Sequence, residues 1–267
     1  MNHQFVGRPT LDSPVSQICT ASQFAEDHFD RLVSQFNQAP RMHRKQWEYA
    51  YILRVLEVHD MLHAGRSGIG FGVADEPILA VMAAAGMSLI ATERPGYRRA
   101  GLDSPELSVM DVFYGGICPE GDFRQRVQVQ PVDMNHLPLG LGIFDVVWSC
   151  SALEELGSVQ AGADFVVAAS RLLKRGGIGV FTTQLNQSSD TDTLESPSLS
   201  LWRRLDLLDL QARLANVGCE MLPLALTRGD LPEDDIVDVP PYQNSVHFRL
   251  SIGPHVLTSV GFVLRKP

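Results

Sequence analysis

Four groups of residues have the types and spacing for chemistry. Gly68, Gly70 and Gly72 alternate with Ile69, Phe71 and Val73, and Glu93 follows Gly72 by 21 residues. Glycines with no side chain let a ligand approach the backbone. A carboxylate about 20 residues beyond such a turn is where nucleotide-binding α/β folds hold both ribose hydroxyls. Asp133, followed by Met134, ends a second apolar run, and Glu154 and Glu155 lie just beyond the run FDVVWS at 144–149. A carboxylate placed there could take the proton of a reacting hydroxyl. His247 on a late apolar run and His136 beside Asp133 could carry protons or fill structural roles. His59 and His63 have the i, i+4 spacing of metal ligands, but no third ligand is evident nearby and no metal is expected.

The stretch from Arg66 to Glu93 has to position the first group. Its alternating start reads as a strand, and Glu76–Pro77 open a helix, since proline suits a first helical position whose N–H would be unpaired anyway. Helix formers run from Ile78 to Ala85, Gly86 ends them as a C-cap should, and Ser88–Thr92 is a short strand with Glu93 at its tip. Upstream, Ala21–Asn37 reads as a helix. Arg41–His63 reads as a longer one, basic at Arg41, His43, Arg44 and Lys45, with Trp47, Tyr51, Val55, Val58 and Leu62 as an apolar stripe. That helix either packs on the sheet edge or caps the ligand, with Trp47 and Glu48 at the mouth. Arg94–Phe123 is loop-rich, with one short helix near Ser104–Tyr114. Arg126–Val132 and Phe144–Trp148 read as strands, Asp164–Leu173 as a helix and Ile178–Thr183 as a strand. Asn186–Pro197 reads as a polar loop, Trp202–Val217 as a helix and Cys219–Leu226 as a strand. The acidic run Arg228–Pro241 should be a solvated excursion, and Val246–Ile252 and Val256–Leu264 should be terminal strands. Strands alternating with helices imply a mostly parallel α/β sheet.

The 267 residues suffice for one well-buried α/β domain with an N-terminal extension. We divide the chain into a tail and helical cap, 1–63, and a sheet domain, 64–267. The formal net charge of −9 disfavours nucleic acid as a partner. No apolar run approaches the roughly 20 residues of a membrane span, and the first residues lack a signal-peptide pattern. Cys19, Cys118, Cys150 and Cys219 are scattered, as in a reduced cytoplasmic protein. A homo-oligomer is compatible with all of this.

With FDVVWS, the turn RLLKRGG at 171–177 and the terminal strands in place, the chain from roughly Arg66 to Arg265 resembles the class I S-adenosylmethionine-dependent methyltransferases, and among them those of bacterial glycan pathways. The resemblance implies a Rossmann-like, doubly wound, mostly parallel seven-stranded sheet with an antiparallel C-terminal strand. It also implies S-adenosylmethionine as cofactor and a small-molecule or glycan acceptor, with a sugar hydroxyl as the favoured group. The family's first motif, an acid followed by alternate glycines, falls on Gly70, Gly72, Ala74 and Glu76, and Phe71 lies within it. The motif therefore lacks its acid, and Glu76 or Glu48 would have to meet the cofactor's ammonium. The resemblance assigns Glu93 to the ribose, Asp133 and Met134 to adenine, and Ser149 and Cys150 to the methionine part. Glu155 stands where many members have a histidine. Arg44 would meet the methionine carboxylate. Glu154, Glu155 and His247 are the catalytic candidates. A nicotinamide-dependent oxidoreductase and a cofactor-binding protein without transfer activity are the alternatives.

Overall fold

A computed structural model describes residues 7–74, 76–97 and 107–267. The start of the expected N-terminal tail, and part of the short helix expected near 104–114, lie outside the described residues. In chain order the elements are β1 (Ser16–Ile18), α1 (Asp27–Ser34), α2 (Arg44–Val58), β2 (Ser67–Phe71), α3 (Pro77–Ala84), β3 (Ser88–Glu93), α4 (Glu120–Arg126), β4 (Val127–Pro131) and β5 (Phe144–Cys150). There follow α5 (Val159–Ser170), β6 (Leu173–Asn186), β7 (Glu195–Ser196), β8 (Leu199–Ser200), α6 (Arg204–Asn216), β9 (Glu220–Met221), β10 (Leu224–Ala225), α7 (Pro232–Asp235), β11 (Arg249–Ile252) and β12 (His255–Arg265).

The main sheet runs β10-β1-β12-β6-β5-β2-β3-β4, with β9 and β11 also paired to β12. The five strands from β4 to β6 are mutually parallel, and β12 runs antiparallel to β6. The chain builds outward from β2 through β3 to β4, then returns to the other side of β2 with β5. Ligands of open α/β sheets bind where strand order reverses in this way, at the carboxyl ends of the strands. Ten strands rather than seven join the sheet among the described residues: six longer ones, β2 to β6 and β12, and the short segments β1, β9, β10 and β11 at the β12 edge. β1 pairs with β12, so residues of the N-terminal segment lie within the sheet itself.

One layer of helices holds α1, α2 and α3 over a core that includes Trp47 and Trp148. The other holds α5 and α6 over Phe165, Phe181 and Trp202. Local signals set several boundaries. His43 caps α2 by accepting from the Lys45 N–H at 3.2 Å, and Ser158 caps α5 by accepting from Ala161 at 3.1 Å. α2 is shorter than the expected 41–63 helix because Asp60 takes a left-handed conformation, φ 54°. Residues 120–126 form a helix, so β4 starts only at Val127. The acidic run around 228–241 is not simply a solvated face. Asp234 and Asp238 are buried, the first accepting from the Ala21 N–H at 2.9 Å and the second meeting His247 at 2.6 Å.

The alternate glycines of β2 serve packing. A Cβ at Gly68 would lie 3.0 Å from the Trp148 ring and one at Gly70 only 2.3 Å from it. The indole of β5 therefore fills the space where the family's acid would stand. Gly70→Asp, which restores that acid, should destabilise the fold by about 1–3 kcal/mol through overpacking, seen as a lowered Tm. An unchanged Tm would show that the indole can move aside.

Candidate functional site

A cavity of about 580 Å³ opens at the carboxyl ends of β2, β3 and β5. Its lining comes from six places. The turn after β2 gives Gly72 and Ala74, and the start of α3 gives Glu76. Glu93 ends β3, and Asp133 and Met134 follow β4. Cys150 to Glu155 follow β5, and α2 contributes Arg44, Lys45 and Tyr49. Backbone at Gly72, Ala74 and Ser151 is held at φ 62°, 41° and 55°. Such left-handed positions for non-glycine residues cost about 1–3 kcal/mol each and persist where the surroundings fix them.

Of the residues singled out from the sequence, Arg44, Gly72, Glu76, Glu93, Asp133, Met134, Glu154 and Glu155 come together on this lining. Four others do not. Gly70 and Phe71 lie within β2, where Trp148 covers the first and Phe71 is itself fully buried. Ser149 is buried and donates to the Phe71 carbonyl at 2.9 Å, whereas Cys150, assigned with it to the methionine part, lines the cavity, as does Ser151. His247 stacks on His43 with ring centroids 4.6 Å apart and bonds Asp238 at 2.6 Å, away from the lining. Trp47 is also turned inward. It is fully buried, donates to Gln23 at 2.5 Å and stacks on Tyr51.

Glu93 is positioned by the turn it faces. One carboxylate oxygen accepts from the Ala74 N–H at 2.5 Å and the other from the Arg94 N–H at 3.3 Å. A carboxylate has about four acceptor sites, so each oxygen keeps capacity for a ligand. Burial raises its pKa, partly offset by the Ala74 bond. Asp133 is exposed and held in a local turn, accepting from the Asn135 N–H at 2.9 Å and meeting His136 at 2.8 Å. The His136 bond lowers its pKa.

The opposite end of the cavity is a charge cluster centred on Glu48, which is wholly buried behind the lining. Its carboxylate meets Ser259 at 2.5 Å, Ser151 at 2.8 Å, Arg44 at 3.1 Å, Lys45 at 3.3 Å and Gln184 at 3.4 Å. Burial pushes the Glu48 carboxyl up, but Lys45 and Arg44, with the two hydroxyls, outweigh it and bring the pKa to about 2. Lys45 also reaches Glu76 at 3.1 Å and the Cys150 carbonyl at 3.4 Å, and it lies 5.7 Å from the Tyr49 ring centroid. Among the described residues Lys45 is the cation that pairs with Glu76. Burial lifts the Glu76 pKa to about 7, and its second oxygen, Oε2, has no hydrogen-bond partner among the described residues. The Arg44 Nε is likewise buried without a partner among the described residues. A carboxylate oxygen and a guanidinium N–H left open at one end of a cavity are what an amino-acid group, ammonium plus carboxylate, would complete.

Glu154 is buried beside this cluster, accepting from Thr183 at 3.2 Å and Gln184 at 3.4 Å. Burial raises its pKa, and the neighbouring Glu48 carboxylate adds to the rise. Glu155 is exposed at the rim. Sequence reasoning missed Lys45, Tyr49 and Ser151 as lining residues. The basic first turn of α2 signalled a cation at the site and Arg44 was its assigned residue; Lys45 beside it reaches the lining as well.

Residues 117–181, which carry Asp133, β5 and the turn into β6, match the family of methyltransferase domains. Among solved structures, a candidate sarcosine dimethylglycine methyltransferase from Galdieria sulphuraria aligns with a TM-score of 0.50 at 11% identity, over 83% of this chain and 84% of that one. The N-terminal domain of EvdMO1, solved with S-adenosylhomocysteine, gives 0.49 at 18% identity over 82% and 81%. The CcbJ methyltransferase from Streptomyces caelestis gives 0.46 at 12% identity over 87% and 98%. Among curated protein sequences nothing matches. No helix among the described residues is long and apolar enough to cross a membrane.

Proposed function

We propose that the chain is a class I S-adenosylmethionine-dependent methyltransferase, a reading supported by the methyltransferase-domain match over residues 117–181, and that it methylates a hydroxyl of a small-molecule or glycan acceptor, with a sugar hydroxyl as the favoured group. The single observation that carries the hydroxyl reading is Glu154, a buried carboxyl of raised pKa on the cavity wall.

The cavity fits the cofactor. Its volume of about 580 Å³ lies within the roughly 300–1,000 Å³ of small-molecule sites, and the unpartnered Glu76 Oε2 and Arg44 Nε match an amino-acid group. When bound, S-adenosylmethionine supplies a sulfonium methyl that is already a strong electrophile. The residues then divide the work. Glu93 holds the ribose hydroxyls with the acceptor capacity left by its two backbone bonds. Asp133 accepts from the adenine amino group, and Met134 packs on the ring. Glu76 takes the ammonium, replacing the acid that Gly70 lacks. Lys45 and Arg44 take the carboxylate. The helical segment that carries Arg44, Lys45 and Tyr49 acts as a cap that keeps water from the reacting atoms.

A hydroxyl acceptor needs a base only as its oxygen attacks. Glu154, held by Thr183 and Gln184, is the group proposed to receive that proton. Its raised pKa favours proton acceptance, and Glu48 stays ionised beside it and stabilises the protonated form. Glu155 at the rim is assigned to acceptor contact. His247 is tied to Asp238 away from the cavity, and we give it a structural role.

Two measurements follow. A Glu76 carboxyl of pKa about 7 is protonated below that pH and ionised above it, and only the ionised form attracts an ammonium. S-adenosylhomocysteine affinity should therefore fall as the pH drops below 7, by up to about tenfold per pH unit, and Glu76→Gln should bind weakly with a flat profile. A wild-type affinity indifferent to pH across this range would remove Glu76 from the ammonium. Transfer of labelled methyl from S-adenosylmethionine can be screened over hydroxyl- and amine-bearing sugars. Label should appear on a hydroxyl, and Glu154→Gln should lower kcat roughly 10²-fold or more while leaving S-adenosylhomocysteine affinity nearly unchanged. Label confined to amines, or full turnover in the variant, would sink the hydroxyl reading.

A further inference from the structure

A second cavity, of about 390 Å³, sits where β6 ends, at the same edge of the sheet as the cofactor cavity. It lies on the strand that carries Gln184, two to three residues further along. The lining of the second holds three guanidinium groups, Arg204, Arg228 and Arg249, against one carboxylate, Asp190. In a chain of net charge −9 this is a local reversal of sign.

Arg249 is the centre of it. The residue is only 9% exposed, yet no carboxylate lies within ion-pair distance of it among the described residues. Its Nε donates to Gln187 Oε1 at 2.7 Å and its Nη1 to the Asp234 carbonyl at 2.5 Å. Both acceptors are neutral. The two nearby acids are engaged elsewhere, since Asp234 accepts from the Ala21 and Leu231 N–H groups and Asp235 is paired with Arg228. Burial and the neighbouring Arg228 lower the Arg249 pKa, as expected for a cation short of negative charge. A buried charge is ordinarily paired, and a guanidinium with free N–H groups suits the two oxygens of an oxyanion. Gln187 gives its carbonyl oxygen to Arg249, which leaves its amide N–H groups available beside the same space. At the rim, Arg204 pairs with Asp190 at 3.0 Å.

We propose that this cavity binds the phosphate or carboxylate group of a small anionic ligand, with Arg249 as its principal contact and Arg204 and Arg228 at its rim. The proposal stands on this lining alone and does not depend on the methyl-transfer chemistry.

Titration calorimetry with inorganic phosphate and with acetate, at ionic strength held constant by chloride, tests it. Saturable binding of at least one of them is expected, and the tighter of the two identifies the preferred anion. Arg249→Gln should weaken it roughly tenfold or more, the effect of losing a charge-assisted contact. Because Arg249 also ties β11 to residues 187 and 234, Arg204→Gln provides a second variant, expected to weaken the anion by a smaller factor. Both variants should bind S-adenosylhomocysteine as the wild type does, which reports on folding separately. Should Arg249→Gln fail to fold, Arg204→Gln decides. No saturable binding to the wild type overturns the proposal. So does binding that a folded variant leaves undiminished, which would mark an adventitious ion only.

Discussion

The buried carboxylate of Glu48 joins the pieces on which the rest of the site depends. It sits on α2 and meets Ser151 after β5, Gln184 on β6 and Ser259 on β12. A lone carboxylate in that position would be too costly to keep ionised. Arg44 and Lys45 from its own helix supply the compensating charge, and the pKa of about 2 records that they win over burial. Removing one member of such a buried group leaves the others uncompensated, at a cost of about 3–5 kcal/mol. The cap helix is therefore docked by polar contacts as well as by its apolar stripe, and those contacts aim two cations at one end of the cofactor cavity.

From that clamp the electrostatics of the cavity follow. Lys45 is shared between Glu48 and Glu76, and Glu48 takes the larger part of the cationic environment because Arg44 also faces it. Glu76 is left under-compensated, with an open oxygen and a pKa near neutrality. An ammonium group arriving there would supply the missing charge. The departure from the usual first motif thus has a packing cause and an electrostatic consequence. Trp148 occupies the space beside Gly70, and the acid that lines the cavity near that turn is Glu76, at the start of α3.

Much of the framework was legible in the sequence because its signals are local. Pro77 and Gly86 bracket a helix, the spacing from Gly72 to Glu93 marks the turn and its carboxylate, and FDVVWS has the apolar density of a doubly covered strand. These pointed to Gly72 and Glu93, and the family resemblance to Asp133 and Met134; all four line the cavity. What failed depended on distant partners. Which side of β5 faces the ligand is a matter of strand phase, and a one-residue difference moves a side chain to the other face; hence Ser149 is buried while Cys150, one residue on, lines the site. Gly68 and Gly70 looked like room for a ligand, but the indole that fills that room comes from 78 or more residues away in sequence. Asp234 and Asp238 read as a solvated run until the Ala21 backbone and His247 were seen beside them. The cap helix showed its stripe plainly, but nothing in its own sequence tells that Glu48 is buried and Lys45 faces the cavity.

The most direct test of this account is a crystal structure of the protein with S-adenosylhomocysteine. The account predicts the adenosine between Glu93 and Asp133, the amino group against the open Glu76 oxygen, and the carboxylate against Lys45 and Arg44. A ligand bound outside this cavity would contradict it, as would an amino group held by other residues while Glu76 stays paired with Lys45 alone.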